Sequence, residues 1–375
     1  MLPAAPDRTD RTDRCPGVLR LIEGADGWLA RVRLPGGLVS GAALAALSAA
    51  SVELGDGRLE LTSRGNVQLR GLPESGADAL AERLGEVGLA PSATHERVRN
   101  VVASPLAGID GGRDLTALVR AVDAAICADP RLPELPGKFL FALDDGRGDV
   151  AGDADVVAVV RAQTAQVEGL TVPAADAPGV MMRAAHAFLD ERRAQAASAW
   201  HVDELVDGRV RLRARLGGSP TAPLPALLPG LPSAPLSTPL ATPGRRPIGR
   251  IGRALVVAAP LGRLTAEQAQ WLAGQSAELR ITPWRRVVVP DAPADARPAD
   301  VGLVTDPASP WLSVSACAGR PRCLQALADV QADAAAALDR FPGRRVHWSG
   351  CARRCGRSAD VEVDVVATAE GYAIS

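Results

Sequence analysis

Lysine is almost missing from this chain: 41 of its 42 basic residues are arginine, and Lys138 is the exception. Asparagine is nearly as scarce, at Asn66 and Asn100, and there are only four histidines. With abundant Ala, Gly and Pro, this reads as the bias of a G+C-rich genome, so alanine-rich stretches say little about structure. An excess of one charge is also missing. A net charge of −1 removes the global basic field that drives nucleic-acid binding. No apolar run is long enough to span a bilayer, and the opening MLPAAPDRTDRTDR is too polar for a signal peptide. The expected location is therefore cytoplasmic. Thiols stay reduced there, so spaced cysteines point to metal or catalysis rather than to disulfides.

What is present is enough for two or three domain-sized units, since the chain has 375 residues and is 47% hydrophobic. Residues 1–15 read as a disordered lead-in. Segment 18–34 reads as strand, Gly-Ala-Asp-Gly turn and strand. Helices are expected at about 40–52, at 76–88, after an Asp114 N-cap, and at 181–199, with strands across 58–72 and 138–143. Segment 217–247 is rich in Pro, Ser and Gly and reads as a linker between two halves. After it the opening pattern returns. Thr265 and Gln268 form a capping box. ELRITPWRRVVVP then echoes LELTSRGNVQLRGLP, with Leu59/Leu279, Leu61/Ile281, Thr62/Thr282 and Val67/Val287 at a constant offset of 220. A duplicated, pseudo-twofold fold with a central cleft is the expectation.

Four of the six cysteines form a pattern: Cys317-x5-Cys323 and Cys351-x3-Cys355, with 27 residues and an expected helix (323–340) between them. Four thiolates are the usual ligands of an iron–sulfur cluster. The x3 spacing puts Cys351 and Cys355 on one face if that stretch is helical. Gly350 and Gly356 flank the pair, where backbone can approach an inorganic cluster closely. Arg353, Arg354 and Arg357 surround it and can offset thiolate charge. Zinc knuckles use shorter spacings, and this pattern fits them poorly. Cys127 reads as a core residue and Cys15 as incidental.

The rare residues fall in compact polar segments: Asn66 in TSRGNVQLR, Asn100 in ERVRNVV and Lys138 in PGKFLFALDDG. An ammonium retained in an arginine-biased chain points to a task for a compact charge; chance placement is the alternative. Arg64, Arg70, Arg97, Arg99 and Lys138 then make a candidate basic wall, suited to capturing carboxylates.

Taken together these segments resemble the nitrite and sulfite reductase family. LTSRGNVQLRG looks like that family's L-T-x-R-x-x-x-Q segment, with Arg64 and Gln68 in place. Arg99-Asn100-Val101 and Leu135-Pro136-Gly137-Lys138-Phe139 look like its Arg-Asn-Val and Leu-Pro-x-Lys-Phe segments. The resemblance implies an α+β fold: two ferredoxin-like half-domains (16–75 and 248–300) and two α/β cluster-type domains (76–216 and 301–375, the latter binding the cluster), related by a pseudo-twofold. It also implies a 4Fe–4S cluster on Cys317, Cys323, Cys351 and Cys355, with a tetrapyrrole beside it.

Within the family, the Lys138–Gly146, Thr282–Arg285 and His347–Cys351 segments look most like the branch that oxygenates a reduced tetrapyrrole in aerobic cobalamin synthesis. That likeness implies hydroxylation of precorrin-3A at the meso carbon between rings A and D, with a ring-A acetate closing a lactone. The implied substrate-binding residues are Arg64, Gln68, Arg99, Asn100, Lys138 and Arg285, and the implied catalytic residues are His347 and Lys138. Dioxygen is the implied co-substrate. A mononuclear non-haem iron is also implied, with His347 the first-choice ligand and His95 the second. Sirohaem-dependent members carry a second lysine two residues after the first; Leu140 stands there, which argues against anion reduction. The chain has no glycine-rich dinucleotide fingerprint, so a separate ferredoxin or NAD(P)H reductase is the expected electron donor. A sirohaem-dependent nitrite or sulfite reductase and a non-catalytic tetrapyrrole or cluster carrier are the competing readings.

Overall fold

A computed structural model describes Asp13 and residues 15–152, 154–217, 246–358 and 360–375. The expected lead-in, apart from Asp13 and Cys15, and the expected linker, apart from its ends, lie outside the described residues.

Two five-stranded antiparallel sheets carry the repeat. The first runs Ile22–Gly24, Gly27–Val32, Val67–Leu72, Arg58–Leu61 and Arg263–Thr265. The second runs Gly249–Ile251, Ala254–Ala258, Arg286–Val289, Glu278–Ile281 and Leu38–Ser40. The fifth strand of each comes from the other half: Leu264 pairs with Leu59, and Val39 with Leu279. This exchange fuses the half-domains into one core. Leu44, Leu47, Leu59, Leu69, Leu264, Leu272 and Leu279 are fully buried in it. Each such side chain contributes about 1.5–3 kcal/mol of burial free energy. Helices Gly41–Leu54, capped by Ser40, and Ala266–Ala273, which has the expected capping box, pack against each other.

The repeat extends to the turns. Leu61 pairs with Val67 and Ile281 with Val287. In each turn a threonine hydroxyl, Thr62 or Thr282, accepts the amide four residues on.

The remaining two sheets share one plan, three parallel strands followed by an antiparallel return, which takes two strands in the first sheet and one in the second. In the first unit the parallel strands are Val101–Ala103, Phe141–Asp144 and Val156–Arg161. Helices Thr116–Ala128 and Ala177–Ala194 pack on this sheet around Phe139, Phe141 and Phe188. In the second they are Val314–Ala316, Val346–Ser349 and Val363–Thr368. The fold is thus the duplicated α+β arrangement that the sequence implied. No described helix is long and apolar enough to cross a membrane.

Several local expectations are corrected. The 323–340 helix shrinks to Val330–Ala336, started by Asp329, whose side chain accepts the Ala332 amide. Residues 323–329 are turns because their backbone is drawn to the cysteine loop, with the Leu327 amide donating to the Gly350 carbonyl at 2.8 Å. Cys351–Cys355 is likewise a run of turns, not a helix. The strand expected at 138–143 begins at Phe141. Cys15, expected in a disordered lead-in, is buried beside Asp13, which accepts the Gly137 amide.

Candidate functional site

A cleft of about 1450 Å³ opens where the two repeat turns meet the two α/β units. One turn supplies Ser63 and Arg64, and its pseudo-equivalent supplies Pro283–Arg286. Arg285 holds a left-handed backbone conformation (φ 59°) at this turn. Burial holds its guanidinium below the usual arginine range, and burial pushes neighbouring Arg286 down to about 10. The apolar walls include Val102, Leu140, Leu261, Trp284, Trp311 and Val346. A cavity of this size, with flat apolar walls and arginines, suits a large, flat polycarboxylate better than a small anion alone.

The cysteines meet at one end of the molecule. Cys317 ends the first strand of its unit, and its Sγ lies 3.1 Å from the Gly350 amide, which donates to it. Burial and then the charges of Cys317, Cys351 and Cys323 push the Cys355 thiol up. Yet among the described residues the one trio of ligand-type atoms closing within 4.8 Å is Asp144, Asp145 and Asp149, not any three of these sulfurs. Gly350 is required here, since a Cβ would sit 2.7 Å from the Ala326 Cβ. Gly356, at φ +80°, lets backbone pass Arg285 Nη2 and the His347 ring.

His347 sits on the strand leading into this loop, is fully buried, and spends both ring nitrogens. Ser315 Oγ lies 2.9 Å from Nδ1, and Nε2 lies 3.1 Å from the Cys355 carbonyl. A carbonyl only accepts, so Nε2 carries the proton. Burial pushes the imidazole down to about 4. His347, the first-choice iron ligand of the sequence reading, is held here as a neutral brace of the cysteine loop, hydrogen-bonded at both ring nitrogens. His95, the second choice, is bonded in the same way: Ser92 and Thr94 contact Nδ1, and Nε2 lies 2.9 Å from the Asp129 carbonyl.

The expected basic wall also disperses. Arg64 and Arg285 line the cleft. Arg99 does not: it is buried in a two-pronged pair with Asp123, both contacts 2.7 Å. Arg70 is held by Asp26 and the Arg322 carbonyl, and Arg97 by Asp13. Asn100 is a brace, its amide donating to the Arg97 and Gly137 carbonyls. Gln68 bridges Arg31 and Glu60 on the sheet surface. Lys138 is not among the residues that line the cleft; its Nζ lies 4.1 Å from the centre of the Trp200 ring.

The cleft also holds groups that the sequence reading passed over. Asp149 is bonded to the Ser104 hydroxyl at 2.6 Å, and burial pushes its carboxyl up to about 6. Asp155 and His201 lie on the same wall. The acidic tail of the Lys138 segment, DDGRGD, was the available signal for the first of these.

Comparison with known proteins agrees with this architecture. Residues 22–87 match the model of the nitrite/sulfite reductase ferredoxin-like half domain. The chain is 27% identical to a precorrin-3B synthase of Sinorhizobium sp over 97% of its length and 82% of that protein's. It is 26% identical to a ferredoxin–nitrite reductase of Synechococcus elongatus over 90% of its length and 76% of that protein's. The solved structure of the Mycobacterium tuberculosis NirA protein superposes with a TM-score of 0.68 at 22% identity, covering 92% of this chain and 73% of that one.

Proposed function

We propose that this chain is a member of the nitrite and sulfite reductase family, and that its cleft binds precorrin-3A and oxygenates it to precorrin-3B. The substrate gains a hydroxyl at the meso carbon between rings A and D, and its ring-A acetate closes a lactone. The observation that carries this reading is Leu140. It is buried in the cleft wall with its amide bonded to Asp155, at the place where sirohaem-dependent members carry a second lysine. An anion resting there would meet an apolar side chain. A macrocycle edge is suited to it.

Arg64 and Arg285 hold substrate carboxylates from two sides of the cleft, each by charge-assisted hydrogen bonds. Lys138, stacked on Trp200, adds positive charge from outside the cleft lining. Cys317, Cys323, Cys351 and Cys355 are the residues that would hold a 4Fe–4S cluster, whose chemistry is one-electron transfer. The exposed Cys355 and the 80% exposed Leu324 put that end of the molecule within reach of an external donor of the ferredoxin kind. A mononuclear iron on His347 or His95 is left out of this reading, because both ring nitrogens of each are hydrogen-bonded within the protein.

The test is a spectrum followed by an isotope. Protein purified without oxygen is expected to show the broad absorption of a cluster and no sirohaem bands. Labelled dioxygen is expected to place one atom in the new hydroxyl. The comparable identity to the Synechococcus ferredoxin–nitrite reductase favours a second reading, sirohaem-dependent reduction of nitrite or sulfite. Tightly bound sirohaem, with nitrite-dependent oxidation of a reduced dye, would establish that reading instead. Oxygen-dependent turnover of any tetrapyrrole would rule out a passive carrier.

A further inference from the structure

Of the four histidines, His201 alone is presented to the cleft. Its backbone is extended (φ −129°, ψ 153°) just before the short Val202–Glu204 turn. Its Nδ1 lies 3.1 Å from Asp155 Oδ2. Asp155 is itself fixed: its carboxylate accepts the Leu140 amide at 2.9 Å and the Val202 amide at 2.8 Å, and only 2% of its side chain is exposed. Arg209 clamps the same loop through the Ala154 and Asp155 carbonyls. An ionised carboxylate only accepts, so Nδ1 carries the proton and donates it. That leaves Nε2, which has no hydrogen bond among the described residues, as the ring atom available to the cleft. The imidazole is 30% exposed. A histidine held at one nitrogen by a buried carboxylate and open at the other is built either to bind a metal or to move a proton. The metal role lacks partners: no two further ligand atoms close on His201 within 4.8 Å among the described residues.

We propose that the His201–Asp155 pair is the proton-transfer group of the cleft. This deepens the oxygenation reading and rests on it. The overall step takes tetrapyrrole, dioxygen, two electrons from a ferredoxin-class carrier and two protons. It gives oxygenated tetrapyrrole and water. The O–O bond breaks, one oxygen atom forms the new bond to carbon, and the other takes both protons and leaves as water. His201 hands those protons over from Nε2. Asp155 keeps the ring oriented and balances its charge while it is protonated, and solvent at the exposed ring edge recharges it.

The test uses the cluster-loaded full chain with reduced ferredoxin and precorrin-3A, following oxygen uptake and hydroxylated product. His201→Gln is expected to lower kcat by about 10²–10⁴-fold, the usual worth of a positioned acid or base, with KM little changed. The cluster absorption should match wild type. His201→Gly should regain rate when imidazole is added, which separates lost proton transfer from lost folding within a single preparation. A variant rate within about threefold of wild type, where acid–base catalysis is worth far more, overturns the inference while leaving the functional reading intact. So does a loss that falls on KM, or one that imidazole does not restore. A wild-type protein that takes up no oxygen overturns the functional reading, and this inference with it.

Discussion

The two α/β units put different chemistry on the same scaffold. In each, the residue after the first parallel strand reaches the loop after the second. In one unit Ser104 donates to Asp149 at 2.6 Å. In the other, Cys317 Sγ accepts the Gly350 amide at 3.1 Å, and Cys351 follows at once. The first loop is stiffened by carboxylates: Asp144 accepts the Gly146 and Gly148 amides, while Asp145 and Asp110 grip Arg147. The ligand atoms of Asp144, Asp145 and Asp149 approach within 4.8 Å, as in a cation site. Two of the three are already committed, however, Asp144 to amides and Asp145 to Arg147. The second loop carries Cys351 and Cys355 and is tied by its Gly350 amide to Cys317, which follows the first strand. Strand ends fix where the groups stand; side-chain identity decides whether the place holds a cluster or a structural acid.

The sharpest way to break this comparison is to make the cysteine loop resemble its counterpart. Cys351→Ser and Cys355→Ser are expected to abolish cluster binding, taking bound iron and acid-labile sulfide from about four each to near zero. They should also lower the melting temperature, since cluster binding is coupled to folding. Iron, sulfide and zinc analysis of the purified protein checks this. A stoichiometric zinc content without sulfide would show that the loop is a different kind of site.

A smaller effect is expected at the repeat turns, which contribute to the cleft from both halves. Arg64→Ala and Arg285→Ala should each weaken tetrapyrrole binding by about 1.5–3 kcal/mol, the worth of a hydrogen bond to a charged group. Arg99→Ala should leave affinity nearly unchanged and instead cost stability, because Asp123 is left half-buried and unpaired. Titration of the three variants with a porphyrin polycarboxylate, beside their thermal melts, separates the two outcomes. An Arg99 variant that loses affinity as strongly as the Arg64 variant would return Arg99 to the site.

That contrast shows what the sequence could and could not convey. The cluster cysteines were legible because their pattern lies in two short stretches, and the repeat was legible because Leu59/Leu279 and Val67/Val287 keep one offset. Arg64 and Arg285 were legible only through the likeness of their segments, LTSRGNVQLRG and Thr282–Arg285, to a known family. The fate of Arg97 and Arg99 was not, because the deciding partners, Asp13 and Asp123, are acids like many others until the chain folds. The same holds for the exchange of Leu38–Ser40 and Arg263–Thr265, a tertiary event with no local signal. The missing helix at 323–329 has a similar origin. Leu324 and Leu327 carry a helical spacing but are 80% and 46% exposed, the backbone there being spent on the cysteine loop. His201 was hidden because its distinguishing partner, Asp155, lies 46 residues away in sequence.

The carboxylate side of the comparison gives the last prediction. Burial, with Asp144 and Asp145 close by, raises the Asp149 carboxyl to about 6, while the Ser104 hydroxyl and Arg147 act the other way without cancelling it. For a carboxyl raised on folding, the native state binds the extra proton between the ordinary aspartate range near 3.8 and about 6. Stability therefore falls as pH rises through that window, and the penalty is fully present above it. Replacing the charge should lift that penalty. Asp149→Asn, which keeps an oxygen for the Ser104 hydroxyl, is expected to be more stable than wild type by about 1–2 kcal/mol at pH 7.5, a discounted share of about 1.4 kcal/mol per pH unit. The gain should fade on acidification through that window and be gone near about pH 3, where both states of wild type are largely protonated. Denaturant melts at three pH values measure this. A stability gain that does not depend on pH would mean that Asp149 is not the strained carboxylate of this loop. A loss at neutral pH would mean that its charge is paired more tightly than Ser104 and Arg147 allow.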